Sequence, residues 1–220
     1  MKKVRGEHFG APSAAVIVAH PDDETLWAGG AMLGRPDVDW FVMTLCRASD
    51  PDRAPRFGQV LKSLHARGRM ADLDDGPDQT PLPGEQVERT ILACLPAAAY
   101  DLIVTHGPAG EYTRHRRHEE VCRAVVALWQ ADKLTAREVW LFAYEDGGRR
   151  YLPRVQTGAH LRKTLPDGLW REKYRLVTEV YGFPHDSWEA RTTPRQEGFW
   201  RFESAEQAAR WVAERMGVTP

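Results

Sequence analysis

Long apolar runs are missing from this 220-residue sequence. The first strongly apolar stretch covers only residues 14–19 and ends in the polar letters HPDDE. A membrane-spanning helix needs about 18 or more apolar residues, and this stretch is also too short for the apolar core of a secretory signal. We therefore expect no membrane span and a cytoplasmic protein.

Cysteine is also scarce. The sequence contains Cys46, Cys94 and Cys122, which are widely spaced and form no Cys-x-x-Cys motif. An odd number at such spacing argues against a disulfide framework and against a cysteine-based zinc knuckle. We expect three reduced thiols, mostly buried, as in a cytosolic protein.

Excess charge of either sign is absent as well. The 30 Lys and Arg residues nearly balance the 31 Asp and Glu residues, which gives a formal net charge of -1. This balance gives no indication of electrostatic capture of nucleic acid or of an anionic membrane surface. The sequence has no internal repeat or low-complexity tract, so the chain is expected to form one domain over residues 1–220. The portion from about residue 150 has weak periodicity and is harder to assign to helices and strands. The sequence does not indicate an oligomeric state.

Short apolar runs alternate with amphipathic stretches along most of the chain. Strands are predicted at residues 14–19, 38–45, 101–106 and 137–144, with a short one at 70–73. Helices are predicted from residue 23 and at 56–68, 85–95, 118–129, 169–180 and 205–216. This alternation predicts an α/β protein with a mainly parallel sheet and helices on both faces. Such sheets place their sites beyond the carboxyl ends of the strands.

Polar clusters follow three of the predicted strands: HPDDE, CRASDPDR and HGPAGEYTRHRRH. In the first cluster, His20 ends the strand and is followed by Pro21, Asp22, Asp23 and Glu24. Proline and acids are typical of a helix start, because they suit its first turn and the positive end of its dipole. That interpretation explains the acids but not the histidine.

The third cluster contains His115 and His118, which share a side of the predicted helix because they are three residues apart. A projection at about 100° per residue places His118 inside the apolar arc, with His115 at its edge and Glu119, Glu120 and Arg123 outside it. The arc consists of Val121, Cys122, Val125, Leu128 and Trp129. We expect His118 to point toward His20 and Asp23, which favours a metal site over a core histidine.

Two histidines and one carboxylate leave an open position on zinc, as in catalytic sites. Zinc can lower the pKa of bound water from about 15.7 to about 7, and a second carboxylate can then accept the proton. Because Asp22 and Asp23 are adjacent, their side chains diverge. One of them can therefore bind metal while the other faces the water.

Two segments resemble a known family. The segment AHPDDETLWAGGAML resembles the opening motif of the LmbE-like, or PIG-L, N-acetylglucosaminyl deacetylases, in which AHPDDE precedes a helix with paired glycines. The segment DLIVTHGPAGEYTRHRRHEEV resembles their second motif, which ends in His-x-x-His, and LCRASDPDR is similar to an intervening loop. The resemblance covers residues 14 to 144.

The resemblance implies a Rossmann-like fold and a zinc ion held by His20, Asp23 and His118. Asp22 would be the general base for a zinc-activated water that attacks an amide carbonyl. His115 would stabilise the oxyanion or act as the acid. The expected substrate is an N-acylated amino sugar or its glycoconjugate, which would lose its acyl group. In this family that group is an acetyl group.

Arg47 and Tyr112 are candidate substrate contacts, although Arg47 also suits a solvated polar loop. The gap between Glu111 and His115 is one residue longer than the family pattern, which affects the placement of Tyr112. His106, which closes the fourth strand, is expected beside the site.

Arg117 occupies a position where the family often has an acid that orients the earlier histidine. We hypothesise that its guanidinium lowers the pKa of His115; the alternative is that Arg117 faces solvent. In the less assignable portion, Trp170, Trp188 and Trp200 are candidates to stack on a sugar ring, with ordinary packing as the alternative.

Two other functions compete with the deacetylase hypothesis, and a third is excluded. A two-histidine, one-carboxylate set also suits non-haem iron oxygenases. A family member without activity could bind a sugar or a protein partner. A dinucleotide-binding protein is excluded, because the first turn has no Gly-x-Gly and places acids where a pyrophosphate would lie.

Overall fold

The computed structural model describes residues 11–217. In chain order the strands are β1 (Ser13–Val18), β2 (Asp39–Thr44), β3 (Arg67–Met70), β4 (Ala99–Thr105), β5 (Thr135–Phe142), β6 (Tyr144–Glu145), β7 (Arg154–Val155), β8 (Leu161–Thr164) and β9 (Gln196–Phe202). The helices are α1 (Asp23–Leu33), α2 (Arg53–Ser63), α3 (Gly84–Cys94), α4 (Arg116–Gln130), α5 (Asp167–Arg175), α6 (Trp188–Thr192) and α7 (Ala205–Met216), and a π-helical turn (Leu176–Val180) follows α5.

The main sheet has seven strands in the order β3-β2-β1-β4-β5-β9-β8. The strands from β3 to β5 in this order are parallel, whereas β9 and β8 are antiparallel to their neighbours. The predicted Rossmann-like α/β fold is confirmed. From β1 the chain adds β2 and β3 on one side, and it then crosses over to add β4 and β5 on the other side. The order of the strands therefore switches between β1 and β4. Ligand sites of such sheets lie in the crevice beyond the carboxyl ends of those two strands.

Helices cover both faces of the sheet. On one face, Ala15 and Ile17 of β1 belong to a core cluster that includes residues of α3, α4 and α7. On the other face, Val16 and Val18 belong to a cluster that includes residues of α1, α2 and the π-helical turn. Because both faces are covered, β1 reads as a nearly continuous apolar run.

The C-terminal portion completes the sheet and holds α1. The carboxylate of Glu197 in β9 accepts hydrogen bonds from the backbone N–H groups of Gly30 and Ala31, each at 2.7 Å. Lys173 of α5 donates to the same carboxylate at 2.7 Å. A Cβ atom at Gly30 would lie 2.4 Å from Leu165. The second glycine of the paired-glycine motif therefore allows close packing.

Several boundaries differ from the sequence prediction. The helix predicted at residues 56–68 is α2, which begins at Arg53 and ends at Ser63, and residues 67 and 68 belong to β3 instead. Strand β3 begins and ends three residues before the predicted 70–73, because this edge strand is largely exposed and has no apolar alternation. Strand β9 was unassigned, because most of its residues are buried and it also lacks alternation. It pairs with β5 and so joins the last part of the chain to the sheet.

Cys46, Cys94 and Cys122 are free thiols, and Cys46 and Cys122 are buried. Within residues 11–217, no helix combines the length and apolar character that a membrane span requires.

Candidate functional site

The first motif lies in the turn between β1 and α1. The backbone N–H of His20 donates to Oδ2 of Asp23 at 2.8 Å, and the Nδ1 atom of His20 lies 3.1 Å from the same oxygen. The indole N–H of Trp27, one turn later in α1, donates to the other carboxylate oxygen at 3.2 Å. The Asp23 carboxylate is therefore held with Oδ2 toward His20.

Helix α4 brings His118 to the same place. Its Nε2 atom lies 3.3 Å from Nδ1 of His20 and 3.4 Å from Oδ2 of Asp23. With zinc–ligand bonds of about 2.0–2.1 Å, tetrahedral geometry separates the ligand atoms by about 3.3–3.4 Å. The triangle formed by the three atoms, whose third edge is 3.1 Å, therefore fits one zinc ion and leaves a coordination position open.

Each of the two imidazoles has a carboxylate partner on its other nitrogen. The Nε2 atom of His20 lies 3.1 Å from Asp75 Oδ1, and Nδ1 of His118 bonds to Glu111 Oε2. Such partners fix the tautomer and the orientation of metal-binding histidines. Sequence reasoning missed both acids: Glu111 was considered only for its spacing, and Asp75 lies in an acid-rich loop after β3.

His106 supports the site from below. Its Nδ1 atom donates to Glu111 at 2.9 Å, and its Nε2 atom accepts the backbone N–H of Ala19 at 2.9 Å. The ring stacks on His118 with centroids 3.8 Å apart. His106, Asp23 and His118 also lie close enough to share an ion, but the Ala19 N–H already uses the nitrogen of His106 that faces Asp23. His106 therefore lies beside the site, as expected.

His115 immediately precedes α4 and packs against the rings of His118 and His20. Its ring centroid lies 4.3 Å from that of His118 and 4.9 Å from that of His20. Burial, together with the neighbouring His118 and His20, lowers the pKa of His115 to about 3. Its Nδ1 atom is buried and has no hydrogen-bond partner among the described residues. His115 is therefore neutral and has no orienting acid.

The structure overturns both sequence interpretations of Arg117. Its side chain is only 1% exposed and does not face solvent. The guanidinium donates to the carbonyl oxygens of Asp74 and Thr80 and to the Glu120 carboxylate. The lowered pKa of His115 comes from burial and neighbouring histidines, rather than from Arg117.

Glu119 and Glu120, predicted outside the apolar arc of α4, are also buried. Glu119 forms a bidentate pair with Arg114, and Glu120 pairs with Arg117. A projection that scores only apolar residues cannot recognise a helix face buried through ion pairs.

Asp22 has an unusual backbone conformation, with φ at 124°. A non-glycine residue in this region is strained, and such strain clusters at functional sites. The Asp22 N–H donates to the buried Glu24 carboxylate at 3.1 Å, and Glu24 also accepts the Tyr181 hydroxyl at 2.6 Å. Burial and the adjacent Asp23 raise the pKa of Asp22.

A cavity of about 270 Å³ opens above these groups. The residues that line it are His20, Pro21, Asp22, Asp23, Leu26, Arg47, Arg53, Asp75, Tyr112, His115, Phe183, Trp188 and Glu189. The structure thus brings all predicted site residues together. All of them line the cavity except His118, which lies fully buried beneath it, beside His20 and Asp23.

The cavity walls include Arg53 and Phe183, which the sequence did not reveal, beside the predicted candidates Arg47, Tyr112 and Trp188. Arg53 lies over the ring of Phe183 at 4.3 Å, and its Nη1 atom is buried without a partner among the described residues. Tyr112 packs against Trp188 with ring centroids 4.6 Å apart. Arg47, by contrast, is already paired with Asp75 at 2.8 Å. Phe183 and Trp188 belong to the portion of the chain beyond the family resemblance.

No family model matches the sequence. Several solved structures match the fold of the chain. The zinc-inhibited form of teicoplanin deacetylase Orf2 is 13% identical, with a TM-score of 0.62 over 87% of this chain and 98% of that one. The chain has the fold of this deacetylase.

Two further structures share that fold. GalB, the 4-carboxy-2-hydroxymuconate hydratase from Pseudomonas putida, is 14% identical over 86% of this chain and 95% of its own, with a TM-score of 0.60. The conserved protein TT1542 from Thermus thermophilus is 15% identical over 85% and 93%, with a TM-score of 0.59. The fold that these three structures share with the chain agrees with the Rossmann-like fold that the resemblance in the two motifs implies.

Proposed function

We propose that this chain is an LmbE-like, zinc-dependent hydrolase that removes an acetyl group from an N-acylated amino sugar or its glycoconjugate. The observation that carries the proposal is the triangle of donor atoms from His20, Asp23 and His118, whose edges of 3.1 to 3.4 Å suit one zinc ion. Structures of a teicoplanin deacetylase, one in complex with teicoplanin, support the substrate class. We further propose that residues 1–220 form one such domain that works in the cytoplasm.

The three ligands would hold zinc beneath the cavity. When bound, the ion supplies Lewis acidity to the acyl carbonyl and makes water more acidic. Asp75 and Glu111 keep His20 and His118 oriented for this task.

Asp22 is the proposed general base. Its carboxylate lines the cavity next to the metal ligands, and its raised pKa makes it a better proton acceptor than an exposed aspartate. It takes a proton from the attacking water as the C–O bond forms, and it returns that proton to nitrogen as the amide C–N bond breaks. The products are acetate and a free amine.

His115 is the proposed oxyanion donor. Its lowered pKa keeps the ring neutral, so the ring carries one N–H group. Nothing among the described residues accepts a hydrogen bond from Nδ1, which leaves Nε2 as the favoured position for the proton. A neutral N–H donor can stabilise the negative charge that develops on the carbonyl oxygen.

The cavity walls supply the proposed substrate contacts. Tyr112 and Trp188 offer aromatic surface for a sugar ring, and the free Nη1 atom of Arg53 offers a donor for a substrate oxygen. Arg47 contributes at the rim, where its side chain is about half exposed.

The test is amine release from a panel of N-acetylated amino sugars and their conjugates, with zinc-loaded protein. We expect amine and acetate in equal amounts, and release that is slower by about 10²–10⁴-fold from the Asp22→Asn variant. Zinc-loaded wild-type protein that releases no amine from any member of the panel would contradict the proposal and favour the inactive-member alternative.

A hydratase is the second candidate, because GalB shares the fold at a TM-score of 0.60. Hydration of a carbon–carbon double bond consumes water but releases neither amine nor acetate. Loss of an enoate absorbance without amine release would identify it. Metal analysis and oxygen uptake on the same samples test the iron oxygenase alternative.

A further inference from the structure

Arg117 connects two segments that are far apart in sequence. Its Nε atom donates to the carbonyl oxygen of Asp74 at 2.5 Å, and its Nη2 atom donates to the carbonyl oxygen of Thr80 at 2.8 Å. The guanidinium therefore fixes both ends of residues 74–80 against the first turn of α4. That turn also carries His118.

The fixed segment contains the partner of the other imidazole. Oδ1 of Asp75 lies 3.1 Å from Nε2 of His20 and also accepts from Gln79 at 3.0 Å. The second oxygen of Asp75 accepts from Arg47 at 2.8 Å. The placement of the His20 ring thus depends on where residues 74–80 lie.

The connection is buried and charged. Arg117 is 1% exposed and donates through Nη1 to Glu120 at 2.6 Å. The other oxygen of Glu120 accepts the Leu82 N–H at 3.0 Å, which extends the contact beyond Thr80. Buried ion pairs are poor sources of stability, since desolvation offsets their attraction. The planar guanidinium presents its N–H donors in a rigid arrangement, so it is suited to fixing the relative positions of the groups that accept from it.

We propose that Arg117 is a positioning residue for the metal site. It holds residues 74–80, which include Asp75, in a fixed position against α4, and it thereby fixes the position of the His20 ring relative to His118. This inference rests on the proposed zinc site. An acid at this position would orient His115, whereas Arg117 acts on His20 through Asp75.

The test is zinc affinity, measured without substrate by competition with a chromophoric chelator. In Arg117→Lys the ammonium keeps the charge beside Glu120 but cannot reach both carbonyl oxygens. We expect affinity to fall roughly 10–100-fold, the usual effect of losing an outer partner of a metal ligand. Asp75→Ala is expected to lose a similar factor. The matched control is Arg114→Lys, which alters an exposed arginine near the start of the same helix and is expected to leave affinity unchanged.

The double variant Arg117→Lys/Asp75→Ala separates positioning from a general structural role. If Arg117 acts through Asp75, the double variant binds zinc no more weakly than Asp75→Ala alone. Wild-type affinity in Arg117→Lys, or losses that multiply in the double variant, would overturn the inference. Wild-type protein that does not bind zinc would also overturn the inference, and it would contradict the proposed zinc site as well. Zinc binding in the expected pattern without amine release would overturn only the proposed hydrolase.

Discussion

The Nδ1 atom of His20 lies 3.3 Å from the Nε2 atom of His118, although the two residues are 98 positions apart. Two imidazole nitrogens at this distance, with the Asp23 carboxylate beside both, are expected to bind about one zinc ion per chain. His118→Ala should lose most of that zinc and the activity while staying folded. Elemental analysis of the purified protein and circular dichroism measure these outcomes.

The matched control for this prediction is His160→Ala. His160 lies near the far edge of the sheet, where its Nδ1 atom accepts the Arg201 N–H at 3.1 Å. Its removal should leave zinc content unchanged. Full zinc occupancy in the alanine variants of His20, Asp23 and His118 alike would rule out the assigned ligands.

The adjacent acids should separate in function. Asp22→Asn is expected to retain zinc and to lose activity by about 10²–10⁴-fold, the usual contribution of a positioned base. Asp23→Asn should instead weaken zinc binding, because Asp23 contributes an oxygen to the donor triangle. Zinc content and kcat, measured on both variants, distinguish the roles, and the reverse pattern would mean that the roles are exchanged.

His115 should act as a neutral donor. Its pKa of about 3 keeps the ring uncharged throughout the neutral pH range. His115→Ala is therefore expected to lower kcat/KM by roughly 10²-fold or more, by the same factor at each pH from about 5 to 9, with zinc content unchanged. A pH profile that loses one of its limbs in this variant would show that His115 titrates during catalysis.

Removal of one partner from the buried pair of Lys173 and Glu197 should destabilise the fold, because it leaves a buried charge uncompensated. Their charged atoms lie 2.7 Å apart, and both side chains are inaccessible to solvent. Lys173→Met leaves the carboxylate without its cation and is expected to lower the free energy of unfolding by about 3–5 kcal/mol. Urea denaturation of the metal-free protein measures the change.

Arg171→Met is the control for that prediction, because Arg171 forms an exposed pair with Asp167 on the same helix. We expect its effect to stay within about 0.5 kcal/mol. An equal effect of both substitutions would show that α5 contributes through its surface rather than through the buried pair.

The sequence predicted most of the framework because the relevant signals are local. The apolar run before His20 and the helical spacing after it specify a β1–α1 unit whatever the rest of the chain does. The same local logic placed His118 on the inward side of α4. Strand β3 was misplaced and β9 unassigned, because an exposed edge strand and a buried strand both lack the alternation that identifies strands.

Sequence alone therefore determined the α/β fold class and the grouping of His20, Asp22, Asp23 and His118, since parallel strands end at one edge. Only the tertiary structure decided which groups support them. Asp75, Glu111 and Arg117 act through contacts between distant segments, and a helix projection cannot show that residues 74–80 cover the Arg117 side of α4. Long polar side chains reach in several directions, so packing around them, rather than periodicity, fixes their partners.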